Sequence, residues 1–356
     1  MSTPCLVLDL GVVRERYARL RAAMPGVRPY YAVKANPSPE VLRVLAGLGC
    51  AFDVASPAEV RLCLTAGAAP ADLSYGTTVK KRSEVAAAYA AGVRRYAVDS
   101  PGDLAAVAAG APGAAVYARI FVPDEGSATP FGRKFGCTPD EAVTLLRSAA
   151  RHGLCAEGVS FHAGSQQTDP AAFGRGVEAA ATVAAAVPGL TLLNIGGGFP
   201  VAYRDPVPPL AAYAEAVEHA LDRCWPGERP ALMSEPGRLL VAEAGTLRTE
   251  VVVVAQRAGR RWVYLDAGRY GGLAETENEA IAYRITTTRG GPAGPVVLAG
   301  PTCDGDDVLY RRTPYELPLA LAAGDVLELH AAGAYTASYA SVGFNGIAPL
   351  ATTHVG

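Results

Sequence analysis

The sequence predicts an α/β protein: a (β/α)8, TIM-like barrel over residues 11–238, then an all-β C-terminal domain over 239–356, which the N-terminal strand 1–10 joins. Three observations predict it. Eight short apolar segments alternate with longer helix-like ones in the first two thirds of the chain. Polar and ionisable residues fall at the C-terminal ends of those segments. After Glu235 the helical patterns give way to short strands separated by Gly-rich turns.

The strand segments are predicted at 29–35, 51–55, 71–75, 95–99, 115–122, 156–162, 191–195 and 231–234. Between them, helices are predicted near 39–48, 57–67, 79–91, 101–109, 138–152, 171–187 and 208–224. Ser56-Pro57, Ser100-Pro101 and Thr138-Pro139 each place a capping hydroxyl before a proline at the first helical position. Eight strands are what a (β/α)8 barrel requires. An open, doubly wound sheet is the competing arrangement. Past Glu235, segments 251–254, 262–266, 282–286, 296–299 and 326–329 are strand-like. Turns such as Ala258-Gly259 and Arg289-Gly290-Gly291-Pro292 separate them. The apolar run 5–8 can add a strand to this second domain.

A chain of 356 residues that is 50% hydrophobic has core enough for two domains. Its net charge of -2, from 32 basic and 34 acidic residues, argues against a nucleic-acid partner, which needs a basic face. The Ala-rich runs are broken by charge, Pro or Gly, so no membrane partner is expected. The opening apolar stretch is short and runs into Arg14, Glu15 and Arg16, so the expected location is the cytoplasm. Seven widely spaced cysteines with no CxxC do not make a disulfide framework. The five histidines form no HExxH, and the run 303–307 is too short for an EF-hand loop, so no metal site is expected.

The ionisable residues converge in a barrel reading. Lys34 ends strand one in YYAVKANP, and Asp53 ends strand two in FDVAS. Arg119 lies in strand five, His162 ends strand six in SFHAGS, and Glu235 ends strand eight in SEPGR. In a barrel these ends share one rim. Taken singly, each has a bland explanation: a solvated lysine, a packed histidine, a rim salt bridge. Together they suit one cofactor. A desolvated lysine amine can form a Schiff base. The run Gly196-Gly197-Gly198 in NIGGGFP can wrap a phosphate with main-chain N–H groups, although a tight turn explains it as well. A carboxylate such as Glu235 can keep a pyridine nitrogen protonated.

Seven motifs, AVKANP, FDVAS, SFHAGS, GGGFP, EPGR, GPTCDGDDVL and GAYT, resemble those of the fold-type III pyridoxal-phosphate decarboxylases. That family holds ornithine, lysine, arginine and diaminopimelate decarboxylases, and the resemblance spans nearly the whole chain. GRYGGLAE, NEAIAYRI and ASVGFNG look like its compact bacterial ornithine/lysine branch. The resemblance implies pyridoxal 5'-phosphate as cofactor and Lys34 as the Schiff-base lysine. His162 would stack on the ring and Glu235 would pair with its nitrogen. Ser165, Gly197, Gly198, Arg238 and Tyr335 would hold the phosphate, with Asp53 and Arg119 completing the cofactor-binding set.

The resemblance further implies a homodimer in which Cys303 and Asp304 reach the site of the other subunit. Cys303 would protonate the carbon that loses carbon dioxide, and Asp304 would hold a distal ammonium. In the segment around Tyr270, the substrate-side acid corresponds to Glu279, with Glu275 and Glu277 nearby. The expected reaction is decarboxylation of a basic L-amino acid, ornithine or lysine, giving putrescine or cadaverine. The alternatives are another diamino-acid decarboxylase such as one for diaminopimelate, an amino-acid racemase, and a non-catalytic homologue that still binds the cofactor.

Overall fold

In the computed structural model, which describes residues 2–356, eight parallel strands close into a barrel. In chain order they are Val27–Ala32, Ala51–Val54, Leu73–Tyr75, Arg95–Val98, Ala115–Arg119, Cys155–Ser160, Leu192–Asn194 and Ala231–Ser234. Each pairs with the next, and the last pairs with the first through Leu232 opposite Val27. All eight predicted segments therefore form barrel strands. The predicted helices follow them, and the three hydroxyl caps are made: Ser56, Ser100 and Thr138 accept from Glu59, Asp103 and Glu141 main-chain N–H at 3.2–3.3 Å. Each such cap stabilises its helix by ~0.5–2 kcal/mol. Tyr30, Ala51, Ala97, Tyr117, Leu192 and Met233 fill the barrel interior as a buried cluster.

The chain separates into two units. The barrel unit comprises Arg14–Pro200 and Val207–Leu239. The β unit takes the chain up to Val13, the short segment Val201–Pro206, and Leu240–Gly356. Within the β unit an eight-stranded sheet runs in the order Arg284–Thr287, Val326–His330, Gly245–Arg257, Arg260–Leu265, Ala293–Ala299 and Val308–Pro318. Its other two strands branch from that path: Cys5–Asp9 lies antiparallel to the Gly245–Arg257 strand and parallel to Ala351–Val355.

Three features were not foreseen from the sequence. Leu10–Ala23 is a helix, the chain's first. Ser127–Thr129 and Ser165–Gln167 form a separate two-stranded ribbon. The first barrel strand stops at Ala32, so Lys34 sits in a 3-10 turn, Val33–Ala35, rather than on the strand itself. No helix among the described residues is long and apolar enough to cross a membrane.

Candidate active site

The rim begins at Lys34. Val33 and Ala35 on either side are buried, while the Lys34 side chain is about half exposed. The turn is fixed below by the Tyr31 hydroxyl, which donates to the Asn36 carbonyl at 2.9 Å. The Lys34 Nζ lies 3.8 Å from Asp53 Oδ2. Asp53 is only 6% exposed, and its other oxygen, Oδ1, is buried without a hydrogen-bond partner. Burial and then the charge of Glu235 push the Asp53 carboxyl well above its usual range, and Lys34 opposes them. Room for Asp53 comes from Gly76, where a Cβ would lie 2.0 Å from Oδ1.

His162 follows the sixth strand. Its Nδ1 accepts the Gly164 N–H at 3.1 Å, so a ring proton belongs on Nε2. Burial, and then the charges of Arg119 and Lys34, hold its pKa well below the ordinary histidine value. The ring is therefore neutral, with a flat face suited to stacking. Its edge contact is Phe131, 4.8 Å away at 78°. The Arg119 guanidinium lies over Phe135 at 4.9 Å and Phe131 at 5.8 Å.

The seventh and eighth strands bring the glycine turn to Glu235. The Glu235 N–H donates to the Gly196 carbonyl at 2.7 Å, and Glu235 Oε1 accepts from Asn194 Nδ2 at 2.6 Å. A Cβ at Gly197 would sit 2.3 Å from the Glu235 carbonyl, and one at Gly198 would sit 2.0 Å from the Gly164 carbonyl. Only glycine fits this turn, and no side chain at Gly197 or Gly198 obstructs its main-chain N–H groups. Arg238, 4% exposed, donates from Nη2 to Ser165 Oγ at 3.2 Å. Ser165, just past the sixth predicted strand segment, lies on the two-stranded ribbon.

The remaining sequence candidates belong to the β unit. Cys303 and Asp304 are exposed in a loop held by Asp307. The Asp307 carboxylate is buried and accepts from Arg269 N at 2.8 Å, Thr302 N at 3.1 Å and Thr302 Oγ1 at 2.7 Å. The Cys303 N–H donates to Asn345 Oδ1 at 3.0 Å. Tyr270 is brought beside Asp304: partial desolvation, then the Asp304 charge and hydrogen bond, raise the phenol's pKa. Tyr335 adopts a left-handed backbone, φ 57°.

Glu279, expected on the substrate side, has another set of partners. Its carboxylate accepts from the main-chain N–H groups of Arg311 at 2.9 Å, Arg312 at 2.8 Å and Thr313 at 2.5 Å. Asn194 and Asp307 were not singled out from the sequence, although both lie in motifs that were.

Comparison with known proteins shows what this geometry belongs to. Residues 10–242 match the family model described as the pyridoxal-binding domain of pyridoxal-dependent decarboxylases. The chain belongs to that family. It is 37% identical over 351 residues to a lysine/ornithine decarboxylase of Selenomonas ruminantium, covering 97% of this chain and 88% of the relative. The solved structure of a lysine decarboxylase variant from the same organism, in complex with the cofactor, superposes with a TM-score of 0.92 at 36% identity, covering 99% of this chain and 92% of the other. A lysine/ornithine decarboxylase from Vibrio vulnificus, solved with cadaverine, gives 0.89 at 33% identity, covering 99% and 94%. This family member is a pyridoxal-phosphate-dependent decarboxylase. The barrel rim fits that cofactor on its own evidence: an amine beside a buried carboxylate, a flat neutral imidazole, a carboxylate beside a glycine turn, and the Arg238–Ser165 pair for an anion.

Proposed function

We propose that the chain removes the α-carboxylate of ornithine or lysine, and that it does so as a homodimer with shared sites. The observation that carries the substrate class is Asp304. It is an exposed carboxylate beside Tyr270, and no cation pairs with it among the described residues. An acid so placed suits a bare distal ammonium better than the distal carboxylate of diaminopimelate.

Bound pyridoxal phosphate supplies the electron sink that makes loss of carbon dioxide feasible. The protein's residues do the rest. When the cofactor is bound, Lys34 would hold it through Nζ. Gly197, Gly198, Ser165 and Arg238 would hold its phosphate, and Tyr335 is the further candidate for that role. Glu235 would accept a hydrogen bond from the cofactor's ring nitrogen, and neutral His162 would stack on the ring without adding a second positive charge. The Cys303 thiol would supply the proton that Cα takes up in place of the carboxylate. Asp304 accepts the distal ammonium and fixes the substrate's length axis. Glu279 serves to hold the strand Val308–Pro318, and Asp304 with Tyr270 forms the substrate end.

The dimer is supported by the surroundings of the Cys303 loop. Tyr339, Val342 and Phe344 are 58%, 82% and 39% exposed, and Phe344 touches Tyr270. Apolar surface next to an exposed thiol and an acid that no cation neutralises suits burial by a second copy. The test is a panel of ornithine, lysine, arginine and diaminopimelate, both enantiomers of each, with product detection. Putrescine or cadaverine from the L-forms is the expected result. Turnover of diaminopimelate alone, or racemisation without carbon dioxide release, overturns the reading.

A further inference from the structure

We propose that Asn194 is a positioning residue: it aims Glu235 at the cofactor's ring nitrogen and ties that aim to the phosphate-binding turn. The inference rests on Glu235 being the ring nitrogen's partner, as proposed above.

Asn194 ends the seventh barrel strand and is 0% exposed. Its carboxamide has two different ends. Oδ1 accepts the Gly196 N–H at 2.9 Å, which fixes the orientation of the group. The other end is then Nδ2, which can only donate, and it donates to Glu235 Oε1 at 2.6 Å. A pure donor supports a carboxylate oxygen and leaves Glu235 Oε2 for the ring's N–H. The main chain locks the same unit. Glu235 N donates to Gly196 O at 2.7 Å, Ile195 N to Met233 O at 2.9 Å, and Phe161 N to Asn194 O at 3.1 Å. Three adjacent strands thus converge on one amide, and the first residue of the glycine turn shares it with Glu235.

The charges nearby explain why a neutral donor belongs here. After burial, the charge of Glu235 is what raises the Asp53 carboxyl most. The buried Tyr117 phenol is raised by its own burial and then by Glu235 and Asp53. Lys34 and Arg119 are the compensating cations, and His162 is neutral. An aspartate at 194 would keep the shape and the acceptor for Gly196. It would also set a carboxylate against Glu235, and two carboxylates in hydrogen-bond contact must share a proton.

The test uses the full-length, cofactor-loaded enzyme with Asn194→Asp and Asn194→Ala, and Glu235→Ala in parallel. Melting temperature, cofactor dissociation and the pH dependence of kcat and of the bound cofactor's absorbance are followed. Losing a hydrogen bond to a charged group is worth about 1.5–3 kcal/mol, so kcat should fall ~10- to 100-fold in both Asn194 variants. Asn194→Asp, which is isosteric, should in addition gain a pH limb absent from the wild type, activity rising as the shared proton leaves. Should Asn194→Ala fail to fold, the Asp variant alone decides. A lowered melting temperature with unchanged kcat, absorbance and pH profile would reduce Asn194 to a packing residue and overturn the proposal. If Glu235→Ala is crippled while the Asn194 variants are not, only this proposal falls. If Glu235→Ala is harmless, the assignment of Glu235 falls first and takes the proposal with it.

Discussion

On the barrel rim, functional groups stand on strand ends that parallel pairing holds in register, and they perturb one another through burial. Asp53 is raised by burial and by Glu235, and His162 is lowered by burial and by Arg119. In the β unit, Cys303 and Asp304 stand exposed on a loop whose backbone is held by the buried Asp307 carboxylate and by Asn345. The first region carries its own low-dielectric surroundings. The second has defined geometry and no enclosure within its unit. The difference separates two tasks: cofactor chemistry needs pre-set protonation states and is built into the barrel, whereas the Cys303 loop is an exposed surface that the proposed dimer would enclose.

The largest expected effects test that division directly. Lys34→Ala should lower kcat by on the order of 10³-fold or more, since it removes the amine proposed to hold the cofactor. Borohydride reduction of the wild-type holoenzyme should place the cofactor label on Lys34 by mass mapping. A label on another lysine would break the barrel half of the comparison. Asp304→Asn comes next. Removing one partner of a desolvated charge pair costs ~2–5 kcal/mol, so kcat/KM for lysine or ornithine should fall by ~30-fold to several thousand-fold. The bound cofactor's absorbance should not change. An equal loss on an uncharged analogue of the same length would show that Asp304 does not read the ammonium. Mixing inactive Lys34→Ala and Cys303→Ala proteins should restore activity after subunit exchange, because hybrids of the proposed dimer would hold one intact site. No recovery, with exchange confirmed, would place both regions' contributions in one subunit.

The two regions also differ in how legible they were. Barrel strands are buried on both faces, so they stand out as short apolar runs, and their order in a parallel barrel follows chain order. Lys34, His162 and Glu235 were therefore visible as polar punctuation. The helix Leu10–Ala23 was not, because Arg14, Glu15, Arg16, Arg19 and Arg21 obscure a weak apolar stripe. Asn194 sat in a motif where the glycines drew the attention. Its role comes from a carboxylate 41 residues away that only the strand order brings near. The β unit hid more. Val308–Pro318 carries Arg311-Arg312 and two prolines, and Ala351–Val355 finds its partner at the opposite end of the chain. Asp307 looked like one more acid in a polar run. Its burial depends on Gly268 and Gly300, where any Cβ would lie 2.2–2.3 Å from its carboxylate. Replacing it tests the clamp: Asp307→Asn loses charge-assisted acceptance from three donors, worth ~1–3 kcal/mol. It should lower kcat about ten-fold through the Cys303 loop while cofactor affinity stays at the wild-type value. A weakened cofactor site would mean that the clamp supports more than the loop.

Glu279 gives the smallest effect on catalysis and the sharpest statement about where the substrate end of the site lies. Its backbone is left-handed, φ 60°, following Asn278 at φ 53°, a pair of conformations that L-residues hold only when tied. The tie is its carboxylate, which accepts from three successive main-chain N–H groups of the Val308–Pro318 strand. Burial works against the charged form, but the hydrogen bonds from Thr313, Arg312 and Arg311 together outweigh it and bring the pKa to about 2, from an ordinary 4.5. A carboxyl whose folded pKa is depressed contributes stability that is present above its unfolded value. That contribution is lost as pH falls from about 4.5 through about 2. Glu279→Gln keeps one acceptor oxygen and loses the charge, so at neutral pH it should cost on the order of 1–3 kcal/mol of unfolding free energy. In urea titrations the gap between wild type and variant should be constant from neutrality down to the ordinary carboxylate range, then close as the solution is acidified further. At neutral pH, KM for lysine and ornithine should stay within a factor of about two, well below the tenfold that about 1.4 kcal/mol of lost binding would produce. A large rise in KM with unchanged stability would reverse the assignment. Glu279 would then face the substrate, and Asp304 would share the ammonium with it.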